Sequence, residues 1–316
     1  MKIAILNHCY FTPDHIESLK KIGEVVEHPN TTTAQDAVDR IGDAEIAIAD
    51  CFEIPLNKEF FSGVKNLKYL CLNTTGYNLV DIDSAKQHGI TVSNLPGFST
   101  EAVAEHAIAL MFAVSKNIIA GDQAMRGRPF QLNPANRAHD KYIGTNLNGK
   151  TLGVIGLGKI GSRIAELGKG LGMKVIAYNR TPKDLPGVKS ASIEEICAKS
   201  DVIAPAVAYS TQLKGLISEK LIKTMKPSAI IVNIARGELI DEAAMTNALQ
   251  NKKLAGLGAD VITDWSPNNP LLGLENVVLT PHMAFLTDES LKNMADIIVS
   301  NIRSFASGKA INVVNP

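Results

Sequence analysis

The chain is poor in cysteine and in aromatic residues, has no excess of either charge and contains no long apolar run. Each shortage excludes something. Its four cysteines, Cys9, Cys51, Cys71 and Cys197, are far apart and form no Cys-x-x-Cys pair. Neither a disulfide framework nor a metal site is therefore expected, and reduced thiols in a cytosolic core are the plain reading. Lys plus Arg and Asp plus Glu both number 32. With no clustered basic stretch to track phosphates, nucleic acid is not an expected partner. No apolar stretch approaches the roughly 20 residues needed to cross a bilayer, and the opening MKIAIL is too short for a signal-peptide core. A cytoplasmic protein without membrane contact is expected.

What is present is length and order. At 316 residues the chain can hold two domains of roughly 150 residues each, the scale at which one core stops growing. Two domains imply a cleft. Short β-rich runs alternate with helical patterns from the start: KIAIL, TPDHIESLKKIG with Thr12 as N-cap and Pro13 at N1, EVVEH, AEIAIAD, LKYLCL and ITVSNL. Such alternation predicts an α/β fold with a doubly wound parallel sheet. Residues 99–127 carry apolar positions at helical spacing over an unusual length, so one long helix is expected there, as a spine between domains, a subunit interface, or both. The polar stretch RGRPFQLNPANRAHDKYIGTNLNGK then leads into a second alternating series, TLGVI, MKVIAYN, DVIAPAV, AIIVNIA, KLAGLGADV and NVVLTPH. The closing TDESLKNMADIIVSNIRSFASGK is an amphipathic helix that the second series does not need. It is expected to cross back onto the first domain, giving a division into 1–97 plus 287–316 and 98–286.

Gly156-Leu157-Gly158-Lys159-Ile160-Gly161 directly follows the apolar strand TLGVI and opens a helix. In that context the first glycine permits the tight turn, the second lets backbone approach a pyrophosphate, and the third lets helix pack on strand. A carboxylate binding both ribose hydroxyls belongs about 20 residues later if the cofactor is NAD, but the next strand ends in Asn179-Arg180-Thr181. Asn can still bond a 2′-hydroxyl. The missing carboxylate also removes repulsion toward a 2′-phosphate that Arg180 and Thr181 can bind, so NADP(H) is favoured over NAD(H).

Three later strand ends carry polar residues: NIARG with Arg236, GADV with Asp260 and LTPH with His282. Parallel sheets place ligands at the carboxyl ends of their strands. A guanidinium suits a substrate carboxylate, because its fork binds both oxygens. An imidazole suits proton transfer to a carbonyl oxygen receiving hydride.

Together these residues resemble the D-isomer-specific 2-hydroxyacid dehydrogenase family. The likeness runs through TTGYNLVDIDSAKQHGITVSN, STEAVAEHAIALM, LNGKTLGVIGLGKIGSRIA, IIVNIARGELIDEAAMTNAL, AGLGADV and NVVLTPHMAF, and is most like the glycerate, hydroxypyruvate and glyoxylate reductases. It implies a flavodoxin-like substrate domain, a Rossmann cofactor domain that includes Ala235 in its cofactor-binding set, and a homodimer formed through helix 99–127. It also implies that Arg236 holds the carboxylate of a small 2-keto or 2-hydroxy acid with help from backbone amides around Thr75 and Gly76. His282 is then the acid/base, Asp260 contacts the nicotinamide carboxamide, and His106 is scaffold.

Two departures from the pattern stand out. The family's DVIxLHxPLTxxT is here DVIAPAVAYSTQL, with Ala206, Ala208, Ser210 and Leu213 replacing its histidine, proline and threonines. In the family's DVFxxEP, the Glu hydrogen-bonds the catalytic histidine. The count from Asp260 puts Trp265 at that place, and the count back from Pro267 puts Ser266 there. Asp264 is the acid expected to substitute, by a one-residue shift of the backbone. If nothing does, the alternative is a cofactor-binding regulator or scaffold with weakened catalysis.

Overall fold

The computed structural model describes residues 1–127 and 142–316. It forms two compact units, Met1–Ser99 with Leu286–Pro316, and Thr100–Phe285. Most of the polar stretch expected to join the two alternating series, 128–141, lies outside the described residues.

The first unit runs β1 (Lys2–Ile5), α1 (Pro13–Lys20), β2 (Glu24–Glu27), α2 (Ala34–Ile41), β3 (Ile46–Ala49), α3 (Lys58–Gly63), β4 (Tyr69–Leu72), α4 (Ile82–Gln87) and β5 (Thr91–Ser93). Its strands pair in parallel in the order β2-β1-β3-β4-β5. Every residue of β3 and β4 is buried, as expected for central parallel strands covered on both faces. One face packs on α2, α3 and α4 through Ala37, Ile41, Phe60, Phe61 and Ala85. The C-terminal helix Asp288–Ala306, capped by Thr287, belongs to this unit. Phe305 stacks on Tyr69 at 4.3 Å, and the fully buried Asn301 donates to Asn94 O at 3.0 Å. A buried amide needs such partners, so the helix is fixed in register as well as by apolar contact. The chain end then runs along β5, with Val314 N donating to Val92 O at 2.9 Å.

The second unit contains α5 (Thr100–Ser115), α6 (Ile118–Gly127), β6 (Thr151–Ile155), α7 (Lys159–Gly170), β7 (Lys174–Tyr178), β8 (Val188–Ser190), α8 (Ile193–Lys199), β9 (Val202–Pro205), α9 (Glu219–Ile222), β10 (Ile230–Asn233), α10 (Glu242–Gln250), β11 (Gly256–Ala259) and β12 (Val277–Leu279). The strands are parallel in the order β12-β11-β10-β9-β6-β7-β8. The order reverses at β6, so the turn after β6 sits at the topological switch point where such sheets bind ligands. Helices α5 and α7 cover one face and α8, α9 and α10 the other. Helix α5 lies close over β11, because a Cβ on Gly256 would come within 2.5 Å of Val114 Cγ1 and one on Gly258 within 3.0 Å of Leu110 Cβ.

The single long helix expected over 99–127 is two helices, α5 and α6, bent by 65°. Asn117, with φ +54°, takes the left-handed conformation that ends helices and that Asn tolerates best after Gly. The end of α5 is satisfied from outside, since Thr145 N donates to Ser115 O at 2.7 Å. Among the described residues no single helix is long and apolar enough to cross a membrane.

All four cysteines are free and buried. Burial pushes the Cys71 thiol up to about 12 and the Cys197 thiol up to about 11, so both stay protonated and unreactive near neutrality.

Candidate active site

The turn after β6 is built for close approach of a ligand. Gly156 has φ +103°, a conformation only glycine adopts readily. A Cβ on Gly161 would sit 1.9 Å from Gly156 O, whereas a Cβ on Gly158, the residue that caps α7, would meet nothing within 4 Å. The first and third glycines are thus demanded by the fold and the second by nothing within it. Open space at the N-terminus of a 12-residue helix suits a pyrophosphate, which gains backbone donors and the helix dipole there.

Asn179 is used differently from its expected role at a ribose hydroxyl. Its Oδ1 accepts from Leu157 N at 2.8 Å and its Nδ2 donates to Thr181 O at 2.6 Å, so the amide ties the glycine turn to the end of β7. Arg180 and Thr181 are exposed beside it. Lys183, which no motif marks, donates from Nζ to Leu157 O at 2.8 Å and to Ser162 Oγ at 3.0 Å. It adds a cation to the same turn, and its signal in the sequence is only that it lies three residues after Arg180.

Arg236, Asp260 and His282 follow β10, β11 and β12, three adjacent strands whose carboxyl ends lie side by side. Asn233, buried at the end of β10, accepts from Ala235 N at 3.1 Å and donates to Arg236 O at 2.9 Å. This polar residue, inside NIARG, shapes the turn that carries the guanidinium, and Arg236 Nη1 donates to Ala235 O at 2.8 Å. His282 has φ +52°, unusual for a non-glycine residue and most often retained where a side chain must be aimed. Its N–H donates to Asp260 O at 3.1 Å and to Thr280 O at 3.0 Å. Phe285 meets the imidazole edge to face, with centroids 6.0 Å apart.

The Asp260 side chain is 1% exposed. Its Oδ1 accepts from Thr280 Oγ1 at 2.6 Å and Met283 N at 2.9 Å, and its Oδ2 accepts from Ala284 N at 3.0 Å. The carboxylate therefore organises the loop that carries His282. It is engaged by that loop through both oxygens. Burial lowers the pKa of His282 below its ordinary value, opposed by the Asp260 charge and reinforced by the Arg236 guanidinium.

A model of the D-isomer specific 2-hydroxyacid dehydrogenase NAD-binding domain matches residues 108–284. The chain belongs to that family. It is 33% identical over its whole length to the whole of a hydroxypyruvate reductase of Blautia hydrogenotrophica. Among solved structures it resembles an acyclic imino acid reductase in complex with NADPH and D-Arg, at 33% identity and TM-score 0.91 over 99% of this chain and 100% of that one. It also resembles a D-lactate dehydrogenase of Aquifex aeolicus complexed with NAD and lactic acid, at 28% identity and TM-score 0.88 over 100% and 99% of the two chains. The chain is accordingly an oxidoreductase of this dehydrogenase family, with a nicotinamide cofactor.

Within the family pattern, the acid expected to replace the histidine-bound Glu is turned elsewhere. Asp264 is exposed, and its carboxylate accepts from Ser266 N at 2.8 Å and Ser266 Oγ at 3.0 Å. An Asx turn of this kind satisfies the carboxylate locally. The segment is pinned besides, because the buried Asn269 donates to Asp264 O at 2.6 Å and to Glu242 Oε1 at 3.0 Å. Glu242 Oε2 in turn accepts from Thr263 N at 2.6 Å. The one-residue shift that would have swung Asp264 inward is thus opposed at both ends, and the carboxylate bearing on His282 is Asp260. Trp265, which the count from Asp260 puts in the place of the Glu, is 55% exposed.

Thr75 and Gly76 lie just after β4 in the first unit, where Thr75 Oγ1 donates to Leu95 O at 2.7 Å and Gly76 O accepts from Thr74 Oγ1 at 2.8 Å.

Proposed function

We propose that the chain reduces a small 2-keto acid to its D-2-hydroxy acid, with NADPH favoured over NADH. The observation that carries this reading is the convergence of Arg236, Asp260 and His282 on three adjacent strand ends, with the charges of Asp260 and Arg236 both felt by His282. Arg236 holds the substrate carboxylate through its fork of donors. The bound nicotinamide supplies the hydride to the keto carbon. His282 gives its ring proton to the keto oxygen as that oxygen gains charge, and takes it back in the reverse direction. Asp260 keeps the imidazole aimed by holding the amides of Met283 and Ala284. Gly156, Gly158 and Gly161, with the first turn of α7 at Lys159 and Ile160, are the residues that would hold the pyrophosphate, and Ala235 would belong to the set that holds the cofactor. Arg180 and Thr181 support a 2′-phosphate, helped by Lys183. Exposure of Ile118, Ile119 and Met125 on α6 supports a homodimer through that helix.

A second reading takes an imine as substrate, favoured by the lowered pKa of His282. An iminium accepts hydride without needing a proton, so a neutral imidazole serves it well. Oxidation of NADPH and NADH measured against hydroxypyruvate, glyoxylate, pyruvate and phenylpyruvate, each with and without ammonia, separates the two. Turnover without ammonia, giving the D-hydroxy acid, supports the keto reading. Turnover only with ammonia supports the imine. Tight cofactor binding with no turnover on the whole panel would leave the regulator.

A further inference from the structure

The loop of His282 is held by a chain of side chains that reaches back to α5. Thr280 Oγ1 lies 2.6 Å from Asp260 Oδ1 and 2.9 Å from His106 Nε2. A carboxylate only accepts, so the single hydroxyl proton of Thr280 goes to Asp260. The contact with His106 must then be an imidazole N–H donating to the hydroxyl oxygen, which places the His106 proton on Nε2. His106 Nε2 is itself 3.6 Å from Asp260 Oδ1. The result is one directed chain, from the His106 N–H through the Thr280 O–H to the Asp260 carboxylate. It ends on the amides of Met283 and Ala284, the two residues that follow His282.

We propose that His106 is a positioning residue for His282, acting through Thr280 and Asp260. This rests on the reading of His282 as the acid/base. Burial alone does not require a directed polar chain at this place. An apolar side chain on α5 would fill the same space, and Thr280 could then bond Asp260 without a second partner. Each bond in such a chain polarises the next, so the His106 donor strengthens the grip of Thr280 on the carboxylate. Among the described residues, Asp260 and Arg236 are charged groups that act on His282, and His106 stands 3.6 Å from the first of them. With the Glu of the family pattern absent and Asp264 turned to Ser266, this chain supplies from α5 the support that the 260–267 loop does not give.

The test uses the full chain with labelled histidine, assigning the His282 ring signal among the seven histidines by its loss in His282→Ala. His106→Leu removes the donor, Thr280→Val removes both bonds at nearly constant volume, and His106→Gln restores an N–H at a similar reach. The expected result is that kcat falls about tenfold in His106→Leu, the scale of one hydrogen bond, and at least as much in Thr280→Val, where the lost bond is to a charged group. KM for the keto acid should stay within about twofold, since the donor does not act on substrate binding. The His282 titration midpoint should rise in both variants, because a carboxylate that loses a donor turns more of its charge on the imidazolium, and His106→Gln should recover most of both effects. Variants His106→Leu and Thr280→Val that lower Tm but leave kcat and the His282 midpoint at wild-type values would overturn the proposal and return His106 to scaffold. If the wild-type chain turns over no substrate, the reductase reading fails, and the ring titration alone still decides the role of His106.

Discussion

Two places on the carboxyl edge of the seven-stranded sheet are built on opposite principles. After β6 the ligand surface is backbone: a left-handed glycine, a glycine with open space at its Cβ position and a helix N-terminus, all within six consecutive residues. After β10, β11 and β12 the surface is side chain, with Arg236, Asp260 and His282 drawn from separate strand ends and His106 and Thr280 standing behind them. On the proposed reading the first arrangement binds cofactor by shape and amide dipoles that no single side chain controls. The second depends on where charges fall within a few ångströms. Side-chain substitutions should therefore be graded in effect at the second place and felt mainly as cofactor affinity at the first.

The largest effect is expected at the side-chain end. His282→Ala should lower kcat about a thousandfold, within the range general acid–base catalysis spans, while leaving the dissociation constant of NADPH unchanged in a fluorescence titration. Equal losses in kcat and in cofactor affinity would erase the contrast between the two places. At the backbone end, Gly158→Ala should leave Tm near wild type because the added methyl meets nothing, yet weaken NADPH about tenfold, or about 1.4 kcal/mol. Gly161→Ala should instead lower Tm, since its Cβ would meet Gly156 O. A smaller and more selective effect is expected from Arg180→Ala, which should weaken NADPH about tenfold through loss of a charged hydrogen bond and NADH by less than about twofold. An equal loss for both cofactors would count against 2′-phosphate recognition.

The pH profile sharpens the same contrast without any substitution. In the proposed reduction His282 gives the proton, and its pKa lies below the ordinary value, so reductive kcat/KM should already be falling at the usual histidine midpoint of about 6.5. In the oxidative direction the proposed role of the same group is base, and kcat/KM should rise with pH below that midpoint and be levelling off by the time it is reached. Cofactor affinity, resting on backbone, should stay flat across the interval.

These two places were not equally legible in the sequence. The glycine turn is contiguous, follows an apolar strand and precedes a helix, so its geometry could be read from local order. Arg236 and His282 could be placed because each ends a strand of a parallel sheet. The environment of His282 could not, because it is assembled from residues 106, 236, 260 and 280 across four elements. Counting from Asp260 puts Trp265 in the place of the family's Glu, and only a one-residue shift brings Asp264 there, whereas Asn269 and Glu242 hold that segment in a different turn. The same limit applies to residues 99–127, where apolar periodicity continues through Asn117 although its φ of +54° ends the helix. Periodicity reports which face is buried and is blind to one residue's backbone angle.

The central claim is that the charge set against His282 comes from Asp260 and not from Asp264. The most direct test is the titration of the His282 ring, followed by NMR in the wild-type chain, in Asp264→Ala and in Asp260→Asn. The account predicts that Asp264→Ala overlays wild type while Asp260→Asn lowers the midpoint. A midpoint lowered by Asp264→Ala and unmoved by Asp260→Asn would contradict it.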